Sequence, residues 1–319
     1  MSGEAVAIAH PNVALSKYWG KREGQGNFPA VPSLSVTLAG LQTRTRVRWG
    51  TSADRVVLGG RELEPGESAR ARAVLDRVRG ASRSTEHAEI ESRNDFPTSS
   101  GLASSASGFA ALALAAVRAA GLDWDAARVS DLARSASASA ARSVFGGFVE
   151  LPVGEESARP LAPASQLPLV VLVCVTTEAP KAVGSTDGMR VTMERSPYAR
   201  AWLEEAPKIH GKLRQALLAG DFASVGELAE SSALAMHASA IAAGVTYWNG
   251  ATIAALAAVR ALRDAGTPAY ATIDAGPHVK VLARPADAAR VRDTMKSVAG
   301  VSRVLEARPG EGAHLEGTP

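Results

Sequence analysis

The sequence carries a single cysteine in 319 residues, Cys174, so no intramolecular disulfide can form. That excludes a disulfide-stapled scaffold and suits a reducing compartment. Charge of one sign is equally scarce. Lys plus Arg number 35 against 32 Asp plus Glu, a net +3, too slight over this length to mark a nucleic-acid binder. Long apolar runs are missing too. FAALALAAV at 109–117 ends at Arg118, far short of the ~20 residues needed to span a bilayer. MSGEAVAIAH lacks a basic stretch followed by an apolar one, so no secretory signal is expected. No Walker A pattern occurs, which excludes the common P-loop. No internal repeat is found, and apart from abundant alanine there is no low-complexity segment. These absences leave a globular cytoplasmic protein with neither membrane nor nucleic acid as a partner.

What is present is 46% hydrophobic and 21% charged residues, enough apolar matter over this length for one large domain or two smaller ones. TRTRVRW (43–49) alternates as a half-exposed strand does. An amphipathic helix with an arginine-rich outer face is predicted over 67–79, and a strand over 88–92. An Ala-rich helix over 104–120 should end at Gly121. The Pro/Ala/Ser-rich stretch 153–169 reads as a junction. VVLVCV (170–175) reads as a buried strand, with Cys174 as a small core hydrophobe. Helices are predicted near 196–218, 221–243 and 250–265, with Asp221 and Asn249 as caps. The strands AYATI and VKVLA then flank a DAGPH turn. A helix near 285–298 and a strand near 301–306 follow, and the Gly/Pro-rich tail should fray. The order of elements is α+β rather than a regular βαβ series.

Four segments carry candidate chemistry. PTSSGLASSASG (97–108) stands between a strand and a helix. Small residues let backbone approach a ligand there, and a helix start offers unpaired N–H groups to phosphate; an ordinary Ser-capped loop is the plain alternative. In NVALSKYWGKR (12–22), Lys17 and Lys21 flank Tyr18 and Trp19. Four apart on a helix, two lysines repel, so an anion or solvent must accommodate them. RSASASAARSVFGGF (134–148) surrounds Arg142 with small residues and hydroxyls, where its planar fork suits a carboxylate or phosphate. A helix packed through small residues explains the same pattern. Asp274 precedes Ala-Gly-Pro, a turn-forming context in which structural aspartates are common.

Together these segments resemble the diphosphomevalonate decarboxylase family, within the superfamily of galactokinase, homoserine kinase, mevalonate kinase and phosphomevalonate kinase. NVALSKYWGKR resembles N-I-A-x-x-K-Y-W-G-K-R, and PSLSVTL (32–38) resembles S-S-L-S-V-T-L. NDFPTSSGLASSA (94–106) is similar to N-x-F-P-T-A-A-G-L-A-S-S-A, and ASASAARSVFGG (136–147) to G-S-G-S-A-C-R-S-L-F-G-G. GSTDGM (184–189) and IDAGPH (273–278) resemble S-S-T-x-G-M and F-D-A-G-P-N. The matches run in family order from about residue 8 to 284. KYWGK with FGG and DAGP belongs to the decarboxylase branch, whereas GLASS alone points only to the superfamily.

The resemblance implies a GHMP-kinase fold. Its N-terminal part, 1–165, would resemble domain 2 of ribosomal protein S5 and bind ATP; a ferredoxin-like part would cover 166–310, with 311–319 as tail and a deep cleft between the parts. It also implies ATP and Mg²⁺ as cofactors, mevalonate 5-diphosphate as substrate, and a homodimer. Action on mevalonate 5-phosphate, as a decarboxylase or as a 3-kinase, is the nearest alternative. A binding protein without turnover would lack catalytic residues, and here the Asp, Lys and Arg set is complete. By resemblance Asp274, Lys17 and Arg142 are catalytic. Tyr18, Trp19, Gly20, Lys21, Arg70, Ser137, Ala138, Ser139 and Thr186 bind substrate. Ser99, Ser100, Gly101, Leu102, Ala103, Ser104 and Ser105 wrap the ATP phosphates. No metal ligand is assigned. Three departures stand out: Ala136 and Ala138 replace the glycines of G-S-G-S, Ala141 replaces Cys, and His278 replaces Asn. The added methyls should narrow the pocket where phosphate lies.

Overall fold

The computed structural model describes residues 3–22, 24, 26–96, 104–179 and 182–317. In chain order the first half holds β1 (Glu4–Ala9), β2 (Asn12–Ser16), β3 (Ser33–Ala39), β4 (Thr43–Thr51), β5 (Arg55–Leu58), β6 (Arg61–Glu62), α1 (Pro65–Ser82), β7 (His87–Asn94), α2 (Ser104–Ala119), α3 (Ala126–Ala136), α4 (Ala138–Ser143), β8 (Phe148–Leu151) and β9 (Arg159–Ala162). The second half holds β10 (Val170–Val175), α5 (Ser185–Arg195), α6 (Ala199–Leu218), α7 (Phe222–Ala242), α8 (Gly250–Asp264), β11 (Ala269–Ile273), β12 (Val279–Ala283), α9 (Ala288–Lys296), β13 (Arg303–Pro309) and β14 (His314–Leu315). The α+β character expected from the sequence is present.

Two sheets organise the molecule. One has the order β14-β1-β4-β7-β5-β6, the other β11-β12-β10-β13-β3-β8-β9 with β2 paired to β3. β4 alternates buried and exposed residues because one face packs on α2 and the other meets solvent. β10 is buried along its whole length, as its unbroken run of branched residues requires. α2 is threaded with alanines, and their small side chains let it lie close against β1, β4 and α4. Gly121, at φ 70°, ends it as the sequence predicts. Asp221 accepts the Ser224 N–H, and Asn249 accepts that of Thr252 within a capping box, so both predicted caps are in place. Cys174 is fully buried, and loss of solvent pushes its thiol up to about 12.

β2 ends at Ser16, and an irregular stretch then carries Lys17 and Lys21. The segment 153–169 includes β9, which pairs with β8. One expectation needs correction. The tail is not frayed over its described part, because β14 pairs with β1 and closes the first sheet. The stretch before it crosses the FGG motif, where a Cβ on Gly146 would meet the Gly312 nitrogen at 2.8 Å. That contact explains why the motif is glycine at this position: a backbone passes where a side chain would stand. β13 joins β3 through Arg308↔Ala39 and Pro309↔Leu38, so the second sheet contains strands from both halves of the chain.

Candidate active site

Residues 257 positions apart meet because two strands end side by side. The Ala14 carbonyl of β2 accepts the Thr272 hydroxyl of β11 at 3.1 Å and the Lys17 ammonium at 2.9 Å. Just past β2, the Lys17 backbone N–H donates to Ser232 on α7. Just past β11 comes Asp274, whose Oδ1 accepts Lys17 Nζ at 2.7 Å. The hairpin β11–β12 returns Lys280 beneath the same carboxylate, with Nζ 3.1 Å from Oδ2.

Burial decides the electrostatics. Lys17 is only 2% exposed, and loss of solvent lowers its ammonium to about 8 despite the attraction of Asp274. Burial alone would raise the Asp274 carboxyl. The two lysines outweigh that and hold it well below the usual carboxylate range. Asp274 is therefore a strongly held anion and a weak base.

These groups stand in a cavity of about 420 Å³, within the size range of small-molecule sites. Its wall includes Lys17, Tyr18, Trp19, Lys21, Arg70, Ser104, Ser105, Ser137, Ala138, Ser139, Thr186 and Asp274, all anticipated from the sequence. Gly20 is not among the lining residues; at φ 108° it turns the chain between Trp19 and Lys21. Ser99, Ser100, Gly101, Leu102 and Ala103 lie outside the described residues. Lys21 Nζ donates to Asn27 Oδ1 at 2.7 Å and to Thr186 Oγ1 at 3.0 Å, linking the two halves across the cavity mouth. The Tyr18 hydroxyl is out of contact with solvent and has no hydrogen-bond partner among the described residues. A ligand oxygen at the cavity wall would satisfy it.

Arg142 is placed differently from the simplest expectation. It is fully buried and is not among the residues that line the cavity. Its Nε and Nη1 donate to Ser35 and Ser33 at 3.0 and 2.7 Å, and Nη2 reaches Asn12 Oδ1 at 3.4 Å. Asn12 does line the cavity and donates in turn to the Ser139 carbonyl. Burial brings the guanidinium down to about 10, partly offset by Asp274. PSLSVTL thus supplies two hydroxyl seats for the arginine. His278 is also not among the lining residues: fully buried, its Nδ1 accepts the Thr176 N–H, and desolvation lowers the ring to about 3.

Sequence reasoning missed three features. Lys280 lies in an apolar alternation that reads only as strand. Asn27, in the left-handed region at φ 58°, sits in a loop with no periodic signal. A second, apolar slot of about 160 Å³ shares Arg70, Ser104 and Ser105 with the main cavity and is lined by Val56, Leu63, Ile90, Phe109 and Leu112. Its residues come from five elements, so no local motif reveals it. The arrangement is a cation-lined lobe joined, at the start of α2, to a smaller apolar one. It suits a polyanion continuous with an apolar ring.

Gly188 in GSTDGM has a packing reason. A Cβ there would collide with Tyr247 Oη and meet the Trp19 ring at 3.1 Å. Trp19 and Tyr247 stack edge to face, 5.9 Å between centroids, and this apolar floor places KYWGK against α5.

Comparison with known proteins agrees over most of the chain. A family model described as the diphosphomevalonate decarboxylase-like N-terminal domain matches residues 9–162. One described as the mevalonate 5-diphosphate decarboxylase C-terminal domain matches 171–312. The phosphomevalonate decarboxylase of Haloferax volcanii is 36% identical over 283 residues, 87% of each chain. The diphosphomevalonate decarboxylase of Aspergillus fumigatus is 32% identical over 325 residues, 93% of this chain and 80% of that protein. Among solved structures, MDDEF in complex with MVAPP, AMPPCP and magnesium superposes with a TM-score of 0.92 at 36% identity, covering 99% of both chains.

Proposed function

The chain belongs to the diphosphomevalonate decarboxylase family, and on that premise we propose that it converts mevalonate 5-diphosphate and ATP to isopentenyl diphosphate, ADP, phosphate and carbon dioxide. The observation that carries this reading is the Asp274 carboxylate clamped by Lys17 on the wall of a cavity that also presents Lys21 and Arg70. One carboxylate suits a hydroxyl, and several cations suit a substrate bearing a carboxylate and phosphates.

In this reading the hydroxy acid occupies the polar lobe and the nucleoside the apolar slot. The phosphate chain crosses between them at Ser104 and Ser105, where the start of α2 favours anions. The tertiary alcohol is a poor leaving group, so it first receives the γ-phosphoryl. That transfer passes through a loose transition state needing little help from a base, and a weakly basic Asp274 is suited to aligning the hydroxyl. Departure of the 3-phosphate then builds positive character on carbon, and the carboxylate leaves as carbon dioxide. Lys17 adds positive charge beside the departing phosphate. Arg142 acts indirectly, through Asn12, Ser139 and its own field. Replacing it by Lys is expected to lower kcat by roughly tenfold to a hundredfold, because an ammonium cannot seat on Ser33, Ser35 and Asn12 at once. Steady-state kinetics on the folded variant would measure this, and an unchanged kcat would assign the arginine to structure alone.

Among the described residues no group of three or more His, Cys, Asp or Glu could hold a metal ion. The residues nevertheless fit Mg²⁺ bound as Mg²⁺ commonly is, mainly on phosphate oxygens and water, with the hydroxyls of Ser104 and Ser105 at hand. When bound it neutralises phosphate charge. Among the described residues no helix is long and apolar enough to cross a membrane. A cytoplasmic homodimer is part of the proposal: a single buried thiol suits that compartment, and the dimer rests on the family resemblance.

The test supplies the purified protein with ATP, Mg²⁺ and either mevalonate 5-diphosphate or mevalonate 5-phosphate, and records carbon dioxide and ADP separately. Equal release of both from the diphosphate is expected. ADP without carbon dioxide would make it a kinase, and turnover of the monophosphate alone would shift the substrate to that named for the Haloferax relative.

A further inference from the structure

The mechanism above leaves one buried cation without a task. Lys280 stands on β12 opposite Thr272 of β11, with only 2% of its side chain exposed. An ammonium taken out of water this far requires a counter-charge. Its Nζ is 3.1 Å from Asp274 Oδ2, while Lys17 Nζ is 2.7 Å from Oδ1. Each carboxylate oxygen thus has its own ammonium, one from each half of the chain.

We propose that Lys280 is a positioning residue for Asp274: with Lys17 it locks the plane of the carboxylate, so that the remaining lone pairs meet the substrate hydroxyl at a fixed angle. A carboxylate offers about four acceptor sites, and two lysines leave enough for a hydroxyl. With Lys17 alone, the carboxylate turns about its Cβ–Cγ bond at little cost. With both, any such rotation breaks an ion pair. The inference rests on the reading of Asp274 as the group that meets the hydroxyl.

The surroundings leave few other charges in play. Besides Asp274, Lys280 faces Lys17 beyond β2, His278 at the head of its own hairpin strand and Cys174 on β10. His237 on α7 faces Lys17 and Asp274. Burial lowers both histidines to about 3 and raises the thiol to about 12. Between those limits the local charge is set by Asp274, the lysines and Arg142, whose guanidinium acts on both Asp274 and Lys17.

The test combines NMR and kinetics on the full chain. Carbon-13 labelled aspartate reports the titration of Asp274 without any substrate. In the wild type its midpoint should lie below the ordinary carboxylate value of about 3.9, and in Lys280→Met it should rise by about 1–3 pH units, the effect of removing a neighbouring opposite charge. Carbon dioxide release by that variant should fall roughly tenfold to a hundredfold in kcat, with the KM for ATP changed less than about twofold. Lys280→Gln serves if the methionine variant does not fold, and Lys280→Arg if neither does, where the midpoint should stay low while kcat falls because the guanidinium cannot reproduce the ammonium's placement. An ordinary wild-type midpoint, or one that Lys280→Met leaves unmoved, overturns the proposal. So does a shifted midpoint with wild-type kcat, which would give Lys280 an electrostatic role without a positioning one. Should the wild type release no carbon dioxide, the decarboxylase reading fails, and the titration still decides whether Lys280 holds Asp274.

Discussion

Asp274→Asn is expected to lower carbon dioxide release by roughly a thousandfold, about 4 kcal/mol in the barrier. The carboxamide differs from the carboxylate by a few atoms but inverts the electrostatics. Lys17 and Lys280 each point an ammonium at one oxygen of Asp274. In the variant one of them faces an NH₂ group, donor against donor, and neither retains a counter-ion. The side chain must rotate or the lysines must withdraw, so the hydroxyl loses its fixed acceptor. ADP release should fall with carbon dioxide, because phosphorylation precedes decarboxylation. Thermal melting separates this from unfolding: leaving the buried lysines without a counter-charge costs roughly 3–5 kcal/mol of a typical folding stability of about 5–15 kcal/mol, so the variant should melt lower and its kinetics are read on the folded protein. Activity near the wild-type level would remove Asp274 from the reaction.

Lys17→Met is expected to cause a loss of similar size, roughly a hundredfold to a thousandfold, with an added signature in pH. The ammonium is lowered to about 8 because it is buried, and Asp274 prevents a deeper fall. A depressed lysine is charged below its folded value and neutral above it. In the free enzyme kcat/KM should therefore decline as pH rises through about 8, since kcat/KM reports groups of the free protein. Bound phosphates add negative charge and favour the protonated form, so the same limb in kcat should appear at higher pH. The methionine variant should lack the limb altogether. In Asp274→Asn the limb should move to lower pH, because the counter-ion that supports the ammonium is gone. A basic limb that persists unchanged in Lys17→Met would assign it to another group.

Arg142 and Lys280 mark the boundary of sequence reasoning from opposite sides. Arg142 is visible because RSVFGG and PSLSVTL are distinctive strings, yet nothing local says that the hydroxyls of Ser33 and Ser35 seat the guanidinium or that Asn12 meets its third nitrogen. Lys280 was invisible because a lysine within VKVLA has the local pattern of any strand residue with a solvated head. Only the pairing of β12 with both β11 and β10 buries it. The frayed tail was a similar misreading. Gly and Pro near a terminus ordinarily lack partners, but here β1 offers an open edge and β14 takes it.

By itself the sequence determined the local terms: strand alternation in β4, the caps of α7 and α8, the end of α2 at Gly121, and the short motifs that place the chain in its family. Those depend on neighbours within a few positions, where propensity and periodicity act. The tertiary structure alone decided which charges are dry, which carboxylate lies between two lysines, and where an apolar slot opens beside a cation-lined lobe. Desolvation and ion pairing depend on residues brought together from distant parts of the chain, and a linear pattern carries no record of that distance.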